Sequence, residues 1–258
     1  MIFADALLAR RLEAAEAANA RGSSTQPGYT VMEVDGGGCA IFAGAESPLS
    51  HAVGIGLNGP VTETQIVEIE KFFRSRGAKV TFDVCPLADP ALIAMLSQRG
   101  YRVTEFNNVL VKRLPGSEGA DAPRTRRARP DEADLWAYTV GRGFFEQAEL
   151  TTEEMDVGRA IFNMHGAMCY FASTASGQLA GAAACAIREG LATLFADSTV
   201  VEFRRTGVHS ELIVARLNDA LAQNCDLATS STLPGSGSQR NYERLGFQVV
   251  YTKITMVG

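Results

Sequence analysis

The sequence predicts an α/β protein in which one strand-and-helix unit occurs twice. Apolar runs of strand length alternate with stretches whose apolar residues recur at helical spacing, on both sides of a central Pro/Gly/Ser/Ala-rich segment. The segment RGAKVTFDVCPLADPALIAMLSQRGYRVTEF has the layout of QNCDLATSSTLPGSGSQRNYERLGFQVVYT. In each, a strand ends at a proline (Pro86, Pro234), a short helix follows, and a glycine–aromatic turn (Gly100–Tyr101, Gly246–Phe247) opens a further strand. With 258 residues, 46% of them apolar and 21% charged, the chain can bury a sizeable core, which excludes disorder and fibrous repeats.

In the first half, Asp5–Ala20 reads as a helix, and Val31–Val34, Cys39–Gly44 and Ala52–Leu57 read as short strands. The glycines of Asp35-Gly36-Gly37-Gly38 form a hairpin turn between the first two strands. A helix starts at Thr62, where Gln65 completes a capping box, and its apolar face is Ile66, Ile69, Phe72 and Phe73. Val80–Cys85 is a buried strand, Pro90–Arg99 a helix, and Tyr101–Val111 one or two closing strands.

The composition shifts between Leu114 and Pro130. The expected organisation is a first domain over 1–114, a linker over 115–123 and a second domain over 124–258. The basic cluster Arg124, Arg126, Arg127 and Arg129 is the solvated end of this linker running into an edge strand. Beyond it, Glu132–Thr139 and Thr152–Phe162 read as helices, and Met168–Thr174, Leu179–Ile187 and Leu191–Asp197 as strands. A long helix over about Gly207–Asn224 carries the apolar stripe Leu212, Ile213, Ala215, Leu217, Ala220 and Leu221. Then come a strand over Leu227–Thr232, a helix over Ser238–Arg244 and a last strand over Gln248–Met256.

Charge and cysteine usage narrow the class. Lys plus Arg number 24 against 29 Asp plus Glu, a net −5 that argues against a dedicated binder of nucleic acid or anionic membranes. No apolar run approaches the ~20 residues of a membrane span, and Asp5, Arg10 and Arg11 do not fit a secretory leader. Five scattered cysteines without a CxxC pair point to a reducing, cytoplasmic setting and to no zinc or other metal site.

The sharpest site signal is FRRTGVHSELIVARL, Phe203–Leu217, where a strand and a glycine turn lead straight into a long helix. Unpaired N–H groups of a first helical turn, with the positive end of the helix dipole behind them, favour phosphate. Gly207 permits close backbone approach, and Arg204 and Arg205 add charge. Thirty-five residues beyond Gly207 stands Tyr242, in NYERLGF. From Leu191 onward the chain resembles the Gcn5-related N-acetyltransferase (GNAT) family. The loop Arg204-Arg205-Thr206-Gly207-Val208-His209 follows that family's [QR]-x-x-G-x-[GA] pattern, with His209 replacing the small last residue, and Tyr242, Gly246 and Phe247 match its Tyr-x-x-x-Gly-Phe signature.

The resemblance implies two GNAT-like folds in tandem, each an α/β unit around a mixed sheet, with a gap between two splayed parallel strands ending near Thr199 and Thr232. Acetyl-CoA would be the co-substrate. Its pantetheine would run along Asp197, Ser198 and Thr199, its pyrophosphate would sit on the N–H groups from Arg205 to Ser210, and Tyr242 would protonate the departing thiolate. The function implied is acetyl transfer to an amine by direct attack in a ternary complex, without metal. The acceptor, a small-molecule or peptide amine, stays open, as does the base among Asp197, Glu146 and Glu149; the chain would act as monomer or homodimer. The alternative is a non-catalytic sensor of CoA or another phosphate ligand in the same cleft.

The first copy lacks this chemistry. Its Asn58-Gly59-Pro60-Val61-Thr62-Glu63 segment has no arginine, Pro60 removes a donor, Glu63 occupies the positive helix end, and Leu96 stands at the position of Tyr242. Gly54-Ile55-Gly56-Leu57-Asn58-Gly59 spells a dinucleotide fingerprint, but the run before it is too short and Pro60 falls where the helix should already run. His51 and His165 are read as turn or core residues.

Overall fold

Residues 2–23, 26–114 and 120–258 are described by a computed structural model, so 115–119 of the expected linker lie outside the described residues. The chain forms two compact units. One comprises Met1–Val109, Thr232–Pro234 and Val249–Gly258; the other comprises Leu110–Ser231 and Gly235–Gln248. The end of the chain is therefore assigned differently from the expected 124–258 domain.

In the first unit, α1 (Ala6–Gly22) is capped by Asp5, whose carboxylate accepts from the Leu8 N–H at 2.8 Å. Strands β1 (Thr30–Glu33), β2 (Cys39–Phe42) and β3 (His51–Val53) form an antiparallel meander, and β3 runs parallel to β4 (Thr81–Val84). β3 is shorter than expected because Gly54 and Gly56 take left-handed φ of 74° and 78° and turn the chain away. Between β3 and β4 lies α2 (Glu63–Arg74), whose capping box is present as expected. Its Ile66, Ile69 and Phe73 pack with Ala52, Phe82 and Val84 on one face of the sheet. Residues one position along each strand, Cys39 and Val53, pack with Ala17 of α1 on the other face, as the period of two requires.

α3 (Pro90–Gln98) leads into one closing strand, β5 (Arg102–Arg113), and β11 (Gln248–Val257) pairs antiparallel with β4, Ile254 opposite Val84. Met256 is buried among Phe82, Val84 and Tyr101, and this apolar packing draws the last strand into the first unit.

The second unit carries an antiparallel sheet, β6 (Thr125–Arg127), β7 (Ala167–Ser173), β8 (Leu179–Arg188) and β9 (Leu191–Thr199), with β10 (Leu227–Thr232) parallel to β9. The alanines of β8 explain its two-sided packing. Ala183 and Cys185 meet Leu212, Ile213 and Leu217 of α6 (Val208–Ala222), while Ala182 and Ala184 meet Trp136 and Val140 of α4 (Ala133–Phe144). Small side chains on both faces let both helices approach the sheet closely. α4 runs five residues past the expected Thr139, and α5 (Thr152–Phe162) matches its expected span.

The expected basic cluster is fully paired within this unit: Arg124 with Glu211, Arg126 with Glu132, Arg127 with Asp219 and Arg129 with Asp131. Ala120, expected in the linker, exchanges two hydrogen bonds with the Asn218 side chain. α7 (Gly237–Arg244) ends as α3 does. Gly246 and Gly100 take φ of 87° and 86°, and the next residues, Phe247 and Tyr101, donate back to the carbonyls of Tyr242 and Leu96. The repeat visible in the sequence is thus a repeat of helix-end geometry.

Candidate active site

The site begins where the parallel pairing of β9 and β10 stops. Leu191–Leu194 lie opposite Leu227–Ser230, yet β9 continues unpaired on that side to Thr199. On its other side β9 stays with β8 through a bulge: Ala184 faces Phe195 and Ala182 faces Ser198, so β9 holds one extra residue there. Ala196 takes φ 54° within it. A bulge of this kind re-aims side chains, and here it brings the Asp197 carboxylate to α6.

α6 starts at Gly207, which sits in the left-handed region at φ 87° as N-cap and leaves the helix without a capping side chain. The one acid of the first turn, Glu211, is held at 2.5 Å by Arg124. Uncapped donors and the helix dipole therefore remain for an anion. They border a cavity of about 860 Å³, lined by the end of α4 (Gly143, Phe144) and Glu146, by Asp197, Ser198 and Thr199, by Phe203–Arg205, by Gly207–Ser210, and by α7. That volume suits a ligand of cofactor size.

Of the ten residues expected to bind cofactor, nine line this cavity: Asp197, Ser198, Thr199, Arg204, Arg205, Gly207, Val208, His209 and Ser210. Thr206 does not; its hydroxyl closes the turn by donating to the Phe203 carbonyl at 2.6 Å. The two arginines have different surroundings. Arg204 donates to the Gly143 carbonyl at 3.0 Å and pairs with Glu146 at 2.8 Å, so it fastens the loop to the end of α4. Arg205, at φ 66°, is exposed and has no carboxylate partner among the described residues. The Ser198 hydroxyl is turned to the Val140 carbonyl at 2.7 Å, leaving that residue only its backbone to offer a ligand.

Beneath the cavity lies a buried network that sequence reasoning missed. Arg216 of α6 is fully buried; it donates to the carbonyls of Leu212 (2.9 Å) and Ala184 (3.0 Å) and, through both terminal nitrogens, to Asp197. Asp197 also receives His209 Nε2 at 3.1 Å and the Tyr242 hydroxyl at 2.7 Å. Burial by itself would raise the Asp197 carboxyl; the Arg216 charge and the His209 hydrogen bond outweigh it and hold the group well below the usual carboxylate range. Burial and the adjacent Asp197 carboxylate push the Tyr242 phenol well above its ordinary value. The signal for Arg216 was present: a cation four residues after Leu212, on the helix's apolar stripe.

Tyr242, expected to protonate the departing thiolate, lies within this network. Its side chain is 0% exposed, it does not border the cavity, and its proton is committed to Asp197. Its ring packs edge-on against Phe247 and His209. His209, in contrast, borders the cavity, and its Nδ1 lies 2.9 Å from Asn241 Nδ2. Both ring nitrogens are thus occupied, and the imidazole ties the β9 bulge to α7.

The first unit offers no such cradle at α2. Thr62 N–H and Gln65 N–H are satisfied by the capping box, and Val61 N–H donates to Asp89 at 2.7 Å. Glu63 pairs with Arg99 at 2.5 Å. Gly56, within the literal G-x-G-x-x-G, gives its carbonyl to Asp89 N–H at 2.7 Å and serves a turn. His51 pairs with Asp83 at 2.6 Å. Among the described residues no group of His, Cys, Asp and Glu is placed to hold a metal, and no helix is long and apolar enough to cross a membrane.

Comparison with solved structures shows the same fold. A GCN5-related N-acetyltransferase from Kribbella flavida matches over 96% of this chain and 95% of its own, with TM-score 0.68 and 16% identity. A tandem GNAT protein from the clavulanic acid biosynthesis pathway matches over 96% and 93%, with TM-score 0.59 and 14% identity. A GCN5-related N-acetyltransferase from Sphaerobacter thermophilus matches over 89% and 75%, with TM-score 0.56 and 13% identity. No family model matches the sequence, and no curated protein does. The chain has the acyl-CoA N-acetyltransferase fold in tandem form.

Proposed function

We propose that this protein is an acyl-CoA-dependent N-acetyltransferase whose second unit binds acetyl-CoA and passes the acetyl group to an amine. The observation that carries the reading is the uncapped α6 start, with left-handed Gly207 and unpaired Arg205, opening on a cavity beside the unpaired end of β9. Backbone N–H groups of Val208–Ser210 suit the pyrophosphate, and the free edge of β9 at Asp197–Thr199 suits the amide groups of pantetheine.

Within this reading, the amine nitrogen attacks the thioester carbon directly, the C–S bond breaks and CoA leaves as thiolate. Of the three acids considered as base, Asp197 is locked to Arg216 and held ionised at low pH, Glu146 is paired to Arg204, and Glu149 does not border the cavity. The amine proton is therefore assigned to water, and the rate should follow the acceptor's own ionisation. Tyr242 acts as a positioning residue: it fixes Asp197, which orients His209 on the cavity wall. The acceptor is a small-molecule or peptide amine.

The test is calorimetry with acetyl-CoA followed by thiol release across an amine panel. One site per chain is expected, since α2 has spent its donors. Two equivalent sites would overturn the assignment to the second unit. The uses made of the Tyr242 hydroxyl and of both His209 nitrogens favour a second reading, a CoA sensor without turnover, which binding without thiol release on any amine would support.

A further inference from the structure

The cavity has a second cationic wall, apart from the loop before α6. On α7, Arg240 and Arg244 stand one helical turn apart and both border the cavity, together with Ser236 and Ser238. Several arginines elsewhere in this unit are matched with carboxylates: Arg124 with Glu211, Arg126 with Glu132, Arg127 with Asp219, Arg142 with Glu202. Among the cavity arginines, Arg204 keeps that habit with Glu146, but three others do not. Arg205 and Arg240 have no ion pair among the described residues, and Arg244 has one hydrogen bond, 3.3 Å to the Asn241 side-chain oxygen, and no carboxylate. The acid on α7 itself, Glu243, does not border the cavity and accepts from Gln239 at 2.7 Å. In a chain of net charge −5, three arginines without carboxylates converge on one space.

A diphosphate on the α6 start uses the backbone donors and Arg205. It leaves the α7 pair unanswered, and two guanidinium groups a turn apart suit a phosphate monoester, which carries close to two negative charges near neutrality. We infer that Arg240 and Arg244 form a second phosphate subsite that takes the 3′-phosphate of the CoA ribose, so that the protein selects CoA over its dephospho form. This rests on the acetyl-CoA reading above and adds to it a specificity for the nucleotide end.

The experiment is isothermal titration of the whole chain with CoA and with dephospho-CoA, for wild type, Arg240→Ala, Arg244→Ala and the double variant. Wild type should prefer CoA by about 10- to 100-fold, the range of one or two charge-assisted hydrogen bonds. The double variant should lose that preference by weakening CoA alone, while its affinity for dephospho-CoA stays within about twofold, which also reports that the fold is intact. Equal wild-type affinity for the two ligands would overturn the subsite and leave the acetyl-CoA reading standing. So would a double variant that weakens both ligands equally. Failure of wild type to bind either ligand would remove both.

Discussion

Replacing Tyr242 by Phe separates two roles that a tyrosine at this place can have. The ring would keep its edge contacts to Phe247 at 4.9 Å and His209 at 5.6 Å between centroids, so the substitution removes one group, the hydroxyl donating at 2.7 Å to Asp197. A hydrogen bond to a charged group contributes about 1.5–3 kcal/mol. Asp197 keeps Arg216 and His209, so no buried charge is stranded, and the loss should stay in that range. For a chain of this size each kcal/mol moves Tm by about 2–4 °C, which gives a fall of about 3–12 °C. Turnover should drop less than about tenfold, through His209 positioning, with acetyl-CoA affinity nearly constant. The assay pairs thermal unfolding with thiol release, using acetyl-CoA and a donor with a poorer leaving group. A Tm equal to wild type with kcat lower by ~10²–10⁴, the size of a general-acid contribution, would refute the positioning role and restore the tyrosine as acid.

Three further outcomes are expected. Gly207→Val should weaken CoA at least about tenfold, because a β-branched residue at φ 87° is strained by about 1–3 kcal/mol and its Cβ would come within 3.3 Å of Arg124; unchanged titration would show that the turn is only a helix start. Arg216→Met should destabilise by about 3–5 kcal/mol in chemical denaturation, since it leaves the Asp197 carboxylate buried without its cation, and Asp197→Asn in the same chain should recover part of that loss. In the first unit, His51 and Asp83 make stability bell-shaped in pH. For Asp83, burial would raise the carboxyl, but the His51 charge and hydrogen bond depress it, so its contribution is present above the ordinary carboxylate value and is lost as pH falls through the depressed one. For His51, burial would lower the ring, but Asp83 raises it, so its contribution is present below the ordinary histidine value and is lost as pH rises through the raised one. A His51→Gln variant whose Tm follows the wild-type pH profile would contradict this.

What could be read along the chain was local. The Thr62–Gln65 capping box, the Gly207 turn and the matched ends of α3 and α7 each depend on residues within about five positions, whose backbone geometry their own side chains dictate. The early end of β3 was missed although Gly54 and Gly56 signal it, because a short apolar run followed by glycines also reads as a strand.

By itself the sequence determined the α/β units, their repetition and the position of the glycine-led helix start at Gly207, since these follow from periodicity, caps and glycines. Only the tertiary structure decided which side chains those elements spend on each other. Nothing in the motif announces that Arg204 meets Gly143 and Glu146, some sixty residues away. Nothing near Tyr242 in the chain announces that the β9 bulge sets Asp197 against its hydroxyl. Arg216 passed as one residue in a helical stripe until burial made it the counter-charge of Asp197. A buried charge must find its partner wherever the fold brings one, and that partner is set by packing between elements distant in the chain.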